Sequence, residues 1–110
     1  MEERLFLAFG LDGPEAPRLR AELLEDHLRW VAAVHPRLRV AGPLRAGDGR
    51  FVGSVLIVAA ADAGEAEALL AADPYRRGGV WREVRLHAFE AAAGTWVGGG
   101  RLATLLLRPA

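Results

Sequence analysis

The chain has 110 residues, of which 52% are hydrophobic and 25% are charged, a composition typical of one globular domain. Its 14 basic and 14 acidic residues cancel, so it lacks the excess of positive charge that nucleic-acid binding needs. The absence of cysteine excludes disulfides, thiolate nucleophiles and zinc–sulfur sites. We therefore expect one small domain that does not bind nucleic acid.

No segment of the sequence has the pattern of a targeting signal or a membrane anchor. The N-terminal segment carries acidic residues before a short apolar run, unlike a secretory signal. The longest apolar runs, near 55–61 and 102–107, are too short to cross a membrane. Together with the lack of cysteine, these features predict a cytoplasmic protein without a membrane partner.

The first half of the chain predicts a strand, a helix and a second strand. Residues 5–10 form an apolar run typical of a buried strand. Apolar residues recur at helical spacing over 17–34, and Pro36 prevents the helix from continuing. Residues 37–46 predict a strand, in which Pro43 indicates an edge position or a bend. The apolar stripe of the helix comprises Leu19, Leu23, Leu24, Leu28, Trp30, Val31 and Val34.

The second half predicts a central strand, a helix and further strands. Residues 51–60 are strongly β-forming and densely apolar, which favours a central position in a sheet. Asp62, with Glu65 three residues later, predicts the start of a helix that ends before Asp73-Pro74. Residues 80–89 then predict a fourth strand, and 102–108 an extra C-terminal strand.

This order of elements predicts an α+β fold, a ferredoxin-like βαββαβ sandwich with one sheet face left bare. Alternation along the last strand directs Val84 and Leu86 toward the helices. The bare face is expected to carry apolar residues mixed with charged ones, and to be buried in a homodimer. The residues expected on it are Phe6 or Phe51, Trp81, Glu83, Arg85 and His87.

Two ionisable residues lie near the inner edges of the predicted helices. His27 falls beside the apolar stripe of the first helix, where a polar side chain must find a partner. Asp73 follows the second helix, where a carboxylate opposes the helix dipole. Each has a structural alternative, since His27 could bond a backbone carbonyl and Asp73 could cap a turn that begins at Pro74.

Other residues give weaker patterns. His35 and His87 have surface contexts, and the three histidines lack zinc-ligand spacing, so we expect no metal. Ser54 does not lie in a Gly-x-Ser-x-Gly motif, the sequence that surrounds many hydrolase nucleophiles. The glycine run at 98–100 lacks the spacing and the lysine of a phosphate-binding loop. We therefore expect no cofactor.

A set of short motifs, taken in order, resembles the YCII-related (YciI-like) family over residues 4–90. The combination is specific, although each motif alone is short. The motifs are Asp26-His27-Leu28, Ala41-Gly42-Pro43-Leu44, Gly53-Ser54-Val55, Ala72-Asp73-Pro74-Tyr75 and Gly78-Gly79-Val80-Trp81, before a strand that ends at Phe89.

The resemblance implies a dimeric α+β barrel, with a family domain at 1–90 and a C-terminal extension at 91–110. It also implies that His27 and Asp73 form a catalytic pair beside a small pocket. Arg20 matches a frequent basic position of the family, whereas Leu24 stands where a second basic residue is expected. The residues expected to line the substrate pocket are Ser54, Gly42, Pro43, Tyr75 and Arg20.

Three functions are compatible with these residues. A His–Asp pair can remove a proton, which favours a lyase or an isomerase that acts on an unknown small molecule. Alternatively, the pair anchors a ligand or the dimer in a protein without catalytic activity. Phosphoryl transfer through His27 is a third possibility, and it requires basic groups near the histidine.

Overall fold

The computed structural model describes residues 4–97. Its strands are β1 (Arg4–Asp12), β2 (Leu38–Arg45), β3 (Phe51–Ala60) and β4 (Trp81–Phe89). Its helices are α1 (Ala16–Val34), α2 (Ala63–Ala71) and the single turn α3 (Pro74–Arg77), with short 3₁₀ turns at His35–Arg37 and Thr95–Val97. The C-terminal strand expected at 102–108 lies outside the described residues.

The four strands form one antiparallel sheet in the order β2-β3-β1-β4. This order confirms the predicted α+β, ferredoxin-like fold, with β3 in the centre and β2 at an edge, where Pro43 costs no ladder hydrogen bond. The single turn α3 corresponds to the alternative in which Asp73 caps a turn that begins at Pro74. α2 begins as predicted, since the Asp62 carboxylate accepts a hydrogen bond from the Glu65 amide at 2.8 Å.

The core lies between the sheet and the helices. The helix-facing side of the central strands contributes Phe6, Leu56 and Val58, which pack with Trp30 of α1 and Leu70 of α2. The predicted stripe of α1 is too wide, because the side chains of Leu24 and Leu28 are 47% and 53% exposed. Helix α1 therefore buries a narrower face than predicted, and Leu24 and Leu28 lie on its exposed side.

The predicted sheet faces of two aromatic residues are wrong. Phe6 pairs with Val58, faces the helices and is only 2% exposed. Trp81 also faces the core, because a β-bulge makes Arg82 the extra residue of β4 and shifts the alternation. Gly10 makes room for this indole, since a Cβ atom there would lie 2.7 Å from Trp81 Cγ. Strict alternation fails where a bulge intervenes.

Phe51 is the third residue whose expected face is wrong. Its ring packs against the Arg20 guanidinium of α1 at 5.2 Å, which puts it on the helix side. A register shift beside Arg45 explains this orientation. The bare face is nevertheless apolar, and Glu83, Arg85 and His87 of β4 lie on it as expected. Its apolar residues are Leu5, Leu7, Phe9, Leu11, Val40, Leu44, Val55 and Ile57.

Candidate functional site

The site is built on a hydrogen bond between α1 and the start of α3. His27 Nδ1 donates to Asp73 Oδ1 at 2.7 Å, with the two side chains 17% and 1% exposed. The two residues that the family resemblance brings together are therefore in direct contact. This hydrogen bond joins positions 46 residues apart in the sequence, at the inner edges of two helical elements, as the stripe pattern predicted.

The structural alternative for Asp73 also holds. Asp73 is the N-cap of α3, and its Oδ1 accepts a second hydrogen bond from the Tyr75 amide at 2.9 Å. Pro74 occupies the first turn, where its missing N–H removes no hydrogen bond. The capping geometry holds the carboxylate at a fixed angle, so one oxygen serves both the turn and the imidazole.

The aromatic ring of Tyr75 fixes the orientation of the imidazole. The rings of His27 and Tyr75 stack at 3.8 Å between centroids with only 3° between their planes. Tyr75 is itself anchored, because its hydroxyl donates to the Arg20 carbonyl at 3.2 Å. Burial raises the pKa of this hydroxyl, and the Asp73 and Asp12 carboxylates act in the same direction against the Arg20 charge. Tyr75 therefore stays protonated and packed.

These contacts determine the tautomer of His27. An ionised carboxylate only accepts hydrogen bonds, so the proton must lie on Nδ1 when the imidazole is neutral. Nε2 then carries the lone pair, and no side chain or backbone group among residues 4–97 forms a hydrogen bond with it. Nε2 is thus the basic nitrogen of this imidazole, and His27 lines the adjacent cavity.

A cavity of about 270 Å³ adjoins His27 between α1 and the β2–β3 edge of the sheet. The residues Arg20, Gly42, Pro43, Ser54 and Tyr75 all border this cavity, whereas Asp73 does not. Gly42 is open, since a Cβ atom there would meet no atom within 4 Å. The full lining is Arg20, His27, Leu28, Val31, Ala41, Gly42, Pro43, Ser54, Leu56 and Tyr75.

The guanidinium of Arg20 is fixed by hydrogen bonds to residues of β1 and β3. Nε and Nη2 donate to the two oxygens of Asp12 at 3.0 and 2.9 Å, and both side chains are nearly buried. Nη2 also donates to the Ser54 hydroxyl at 3.0 Å and to the Gly53 carbonyl at 3.1 Å. Arg20 and Ser54 therefore form one polar wall of the cavity, whose charge is balanced by Asp12.

The sequence analysis did not single out Asp12, which is the last residue of β1. The available signal was its position at the end of β1, directly before the short turn into α1, which brings Arg20 back alongside it. No group of three or more acidic or histidine side chains within residues 4–97 is arranged to hold a metal ion. None of the helices in that range is long and apolar enough to span a membrane.

The fold is that of the dimeric α+β barrel superfamily, to which similar solved structures belong. The chain is 25% identical to the 5-chloro-2-hydroxyhydroquinone dehydrochlorinase TftG from Burkholderia phenoliruptrix AC1100, solved with 2,5-dihydroxybenzoquinone. The similarity covers 83% of this chain and 96% of TftG, with a TM-score of 0.72.

Residues 5–90 match the YCII-related domain, and the chain belongs to that family. SnoaB, a cofactor-independent oxygenase from Streptomyces nogalater, shares the fold at 15% identity and a TM-score of 0.50, covering 86% of this chain and 97% of SnoaB. Rv0793 from Mycobacterium tuberculosis does so at 16% identity and 0.50, covering 84% and 98%. No curated protein sequence matches the chain significantly.

Proposed function

We propose that this protein is a cofactor-independent enzyme that removes a proton from a small ring compound, with His27 as the general base. The observation that carries the proposal is the 2.7 Å hydrogen bond from His27 Nδ1 to buried Asp73, beside a cavity that His27 lines. The carboxylate fixes the tautomer and stabilises the imidazolium that forms when Nε2 takes a proton. Tyr75 keeps the ring in the plane that this transfer requires.

The reaction class that we propose is elimination or isomerisation. Nε2 of His27 accepts a proton from a carbon or a hydroxyl of the substrate, and the electron pair left behind forms a new double bond. In an elimination this pair expels an anion such as chloride, and the imidazolium then loses its proton to water. In an isomerisation the double bond shifts along the substrate, and the imidazolium returns its proton to another carbon of the same molecule. Such a step needs no oxidant or reductant, and the dehydrochlorinase activity of TftG supports it.

The dimensions and lining of the cavity favour a single-ring substrate. A dry cavity of about 150 Å³ can hold benzene, so 270 Å³ accommodates a substituted ring. We propose that Ser54, Arg20 and Tyr75 contact the polar groups of the substrate. The ring would lie against Pro43 and the backbone of Gly42, which line the cavity along β2.

A second candidate is a ligand-binding or dimerisation module without catalysis. The observation that favours it is the capping role of Asp73, which gives the carboxylate a structural purpose of its own. Phosphoryl transfer has less support, because Arg20, the one arginine of residues 4–97 that lines this cavity, is already neutralised by Asp12.

Turnover of a chlorinated hydroxyhydroquinone, followed as chloride release, tests the proposal. His27→Ala should lower the rate by roughly 10²-fold or more, because general-base catalysis contributes that much. His35→Ala is the matched control, since His35 is exposed and lies outside the cavity. A His27→Ala protein that releases chloride as fast as the wild type, or a wild type whose chloride release does not exceed the rate without protein, contradicts the proposal.

We further propose that the protein is a homodimer that buries the bare face of the sheet. The apolar side chains of that face, such as Leu7 of β1 and Ile57 of β3, are only partly covered in the single chain. An apolar sheet face is best buried against its twofold copy. We also propose that residues 1–90 form the folded unit, with 91–110 as an extension that contributes to the contact between subunits.

A further inference from the structure

A second and larger cavity lies at the other end of Arg20, away from His27. Its volume is about 690 Å³, and it is bounded by the end of β1, the start of α1 and the β2–β3 hairpin. Among the residues that the structure describes, Arg20 alone lines both cavities. The lining consists of Leu11, Asp12, Gly13, Pro14, Ala16, Pro17, Arg20, Arg50, Phe51, Val52 and Arg82.

The β-bulge places Arg82 on this cavity. Because Arg82 is the extra residue of β4, it is not paired with β1, and an extra residue of this kind re-aims its side chain. The loop at Gly13 lies beside Arg82, since a Cβ atom at Gly13 would be in ordinary contact with Arg82 Cβ at 3.6 Å. The irregularity that turns Trp81 into the core thus brings a cation to the rim of the cavity.

Within residues 4–97, the acidic side chains near this cavity are each paired with an arginine other than Arg82. Asp12 is held by Arg20 at 2.9 Å, and Asp48 is held by Arg50 at 3.1 Å. The remaining neighbours, Glu15 and Glu83, pair with Arg18 and Arg85 at 3.3 and 2.8 Å. Within residues 4–97 the guanidinium of Arg82 has neither an ion pair nor a hydrogen bond, so the cavity has an excess of positive charge.

We propose that this cavity binds a small organic anion, with Arg82 and Arg50 as ligands of its carboxylate or phosphate group. Guanidinium groups match both anions with paired hydrogen bonds. The walls between the arginines are apolar, with Leu11, Pro17 and Phe51 among them, so they suit an apolar body attached to the anionic group. This site is separate from the His27 cavity and does not depend on the proposed reaction.

Benzoate and phenyl phosphate are the two anionic probes, and benzyl alcohol is the neutral control. Each is titrated into ¹⁵N-labelled full-length protein, and the shifts of the Gly13 and Val52 amides are followed. Both amides border the cavity. We expect saturable shifts with one or both anions and weaker ones with benzyl alcohol. The anion that binds more tightly identifies the preferred group, and added salt should weaken its binding.

Arginine variants test the assignment of the ligands. Arg82→Gln should weaken binding about tenfold or more, through the loss of charge-assisted hydrogen bonds. Arg82→Lys keeps the charge but not the paired hydrogen bonds, so it should weaken binding less than Arg82→Gln. Arg77→Gln is the matched control, because Arg77 is also exposed, has no side-chain partner within residues 4–97 and lies off the cavity. His27→Gln should leave binding unchanged.

Three results would overturn the proposal. One is the absence of saturable shifts with either anion up to its solubility limit. Another is equal affinity of the Arg82→Gln and Arg77→Gln proteins for the tighter anion. The third is binding of benzyl alcohol as tight as that of the anions, which would show an apolar site without a role for the arginines.

Discussion

Because of the hydrogen bond between His27 and Asp73, removal of the Asp73 cap should lower the free energy of unfolding more than removal of an ordinary helix cap. Asp73 caps α3 and also accepts from His27, whereas Asp62 caps α2 and accepts only from the Glu65 amide. Replacing either aspartate by alanine removes a cap, which costs about 1 kcal/mol. Asp73→Ala also leaves the His27 Nδ1–H without an acceptor, which costs about 2 kcal/mol more. We therefore expect losses of about 3 kcal/mol at Asp73 and about 1 kcal/mol at Asp62.

Urea denaturation of the two variants gives this comparison directly, because the free energy of unfolding extrapolates linearly to water. The difference of about 2 kcal/mol should appear in thermal melts as roughly 10 °C. A double-mutant cycle of Asp73→Ala with His27→Ala isolates the pair and should return a coupling of about 2 kcal/mol. Equal losses at Asp62 and Asp73, or additive effects in the cycle, would refute the reasoning.

Three further outcomes follow from other contacts. Burial raises the pKa of Tyr75 above its ordinary value of 10.0, so the protonated phenol stabilises the fold below pH 10, and this contribution is lost as pH rises through the folded-state pKa. Tyr75→Phe should remove this fall in the free energy of unfolding at alkaline pH, measured by urea denaturation, and an unchanged fall would contradict the assignment. Leu7→Lys should give monomers in sedimentation velocity, while Leu24→Lys on the exposed side of α1 should not; two dimeric variants would place the interface elsewhere. A protein that ends at residue 90 should associate more weakly than the full chain, and unchanged association would exclude a role for the extension.

Much of the fold could be predicted from local pattern. The strand over 51–60, the helix end before Pro36 and the Asp62 cap follow from propensity, proline geometry and side-chain capping, which act over a few residues. The face of the sheet on which the Trp81 side chain lies could not be predicted from local pattern. It depends on a bulge, and a bulge arises from the pairing of two strands that are distant in the sequence.

The candidate site, like the fold, could be predicted only in part from the sequence. His27 and Asp73 could be paired because each lies at the inner edge of its own helix and the motifs resemble a known family. The neutralisation of Arg20 by Asp12 could not be predicted, because it depends on how α1 lies across the end of β1. The stacking of Tyr75 on His27 likewise depends on the docking of α3 against α1, which no local pattern encodes.

The tautomer of His27 is the most direct test of the central claim, that Asp73 holds this imidazole as a base with Nε2 facing the ligand cavity. Long-range ¹H–¹⁵N correlation spectra of the neutral imidazoles distinguish the two ring nitrogens of His27, His35 and His87. We expect His27 to be protonated at Nδ1, and its Nε2 resonance to move when a ring-hydroxylated ligand is added, while those of His35 and His87 do not. A neutral His27 protonated at Nε2, or an Nε2 resonance that the ligand leaves unchanged, would contradict this account.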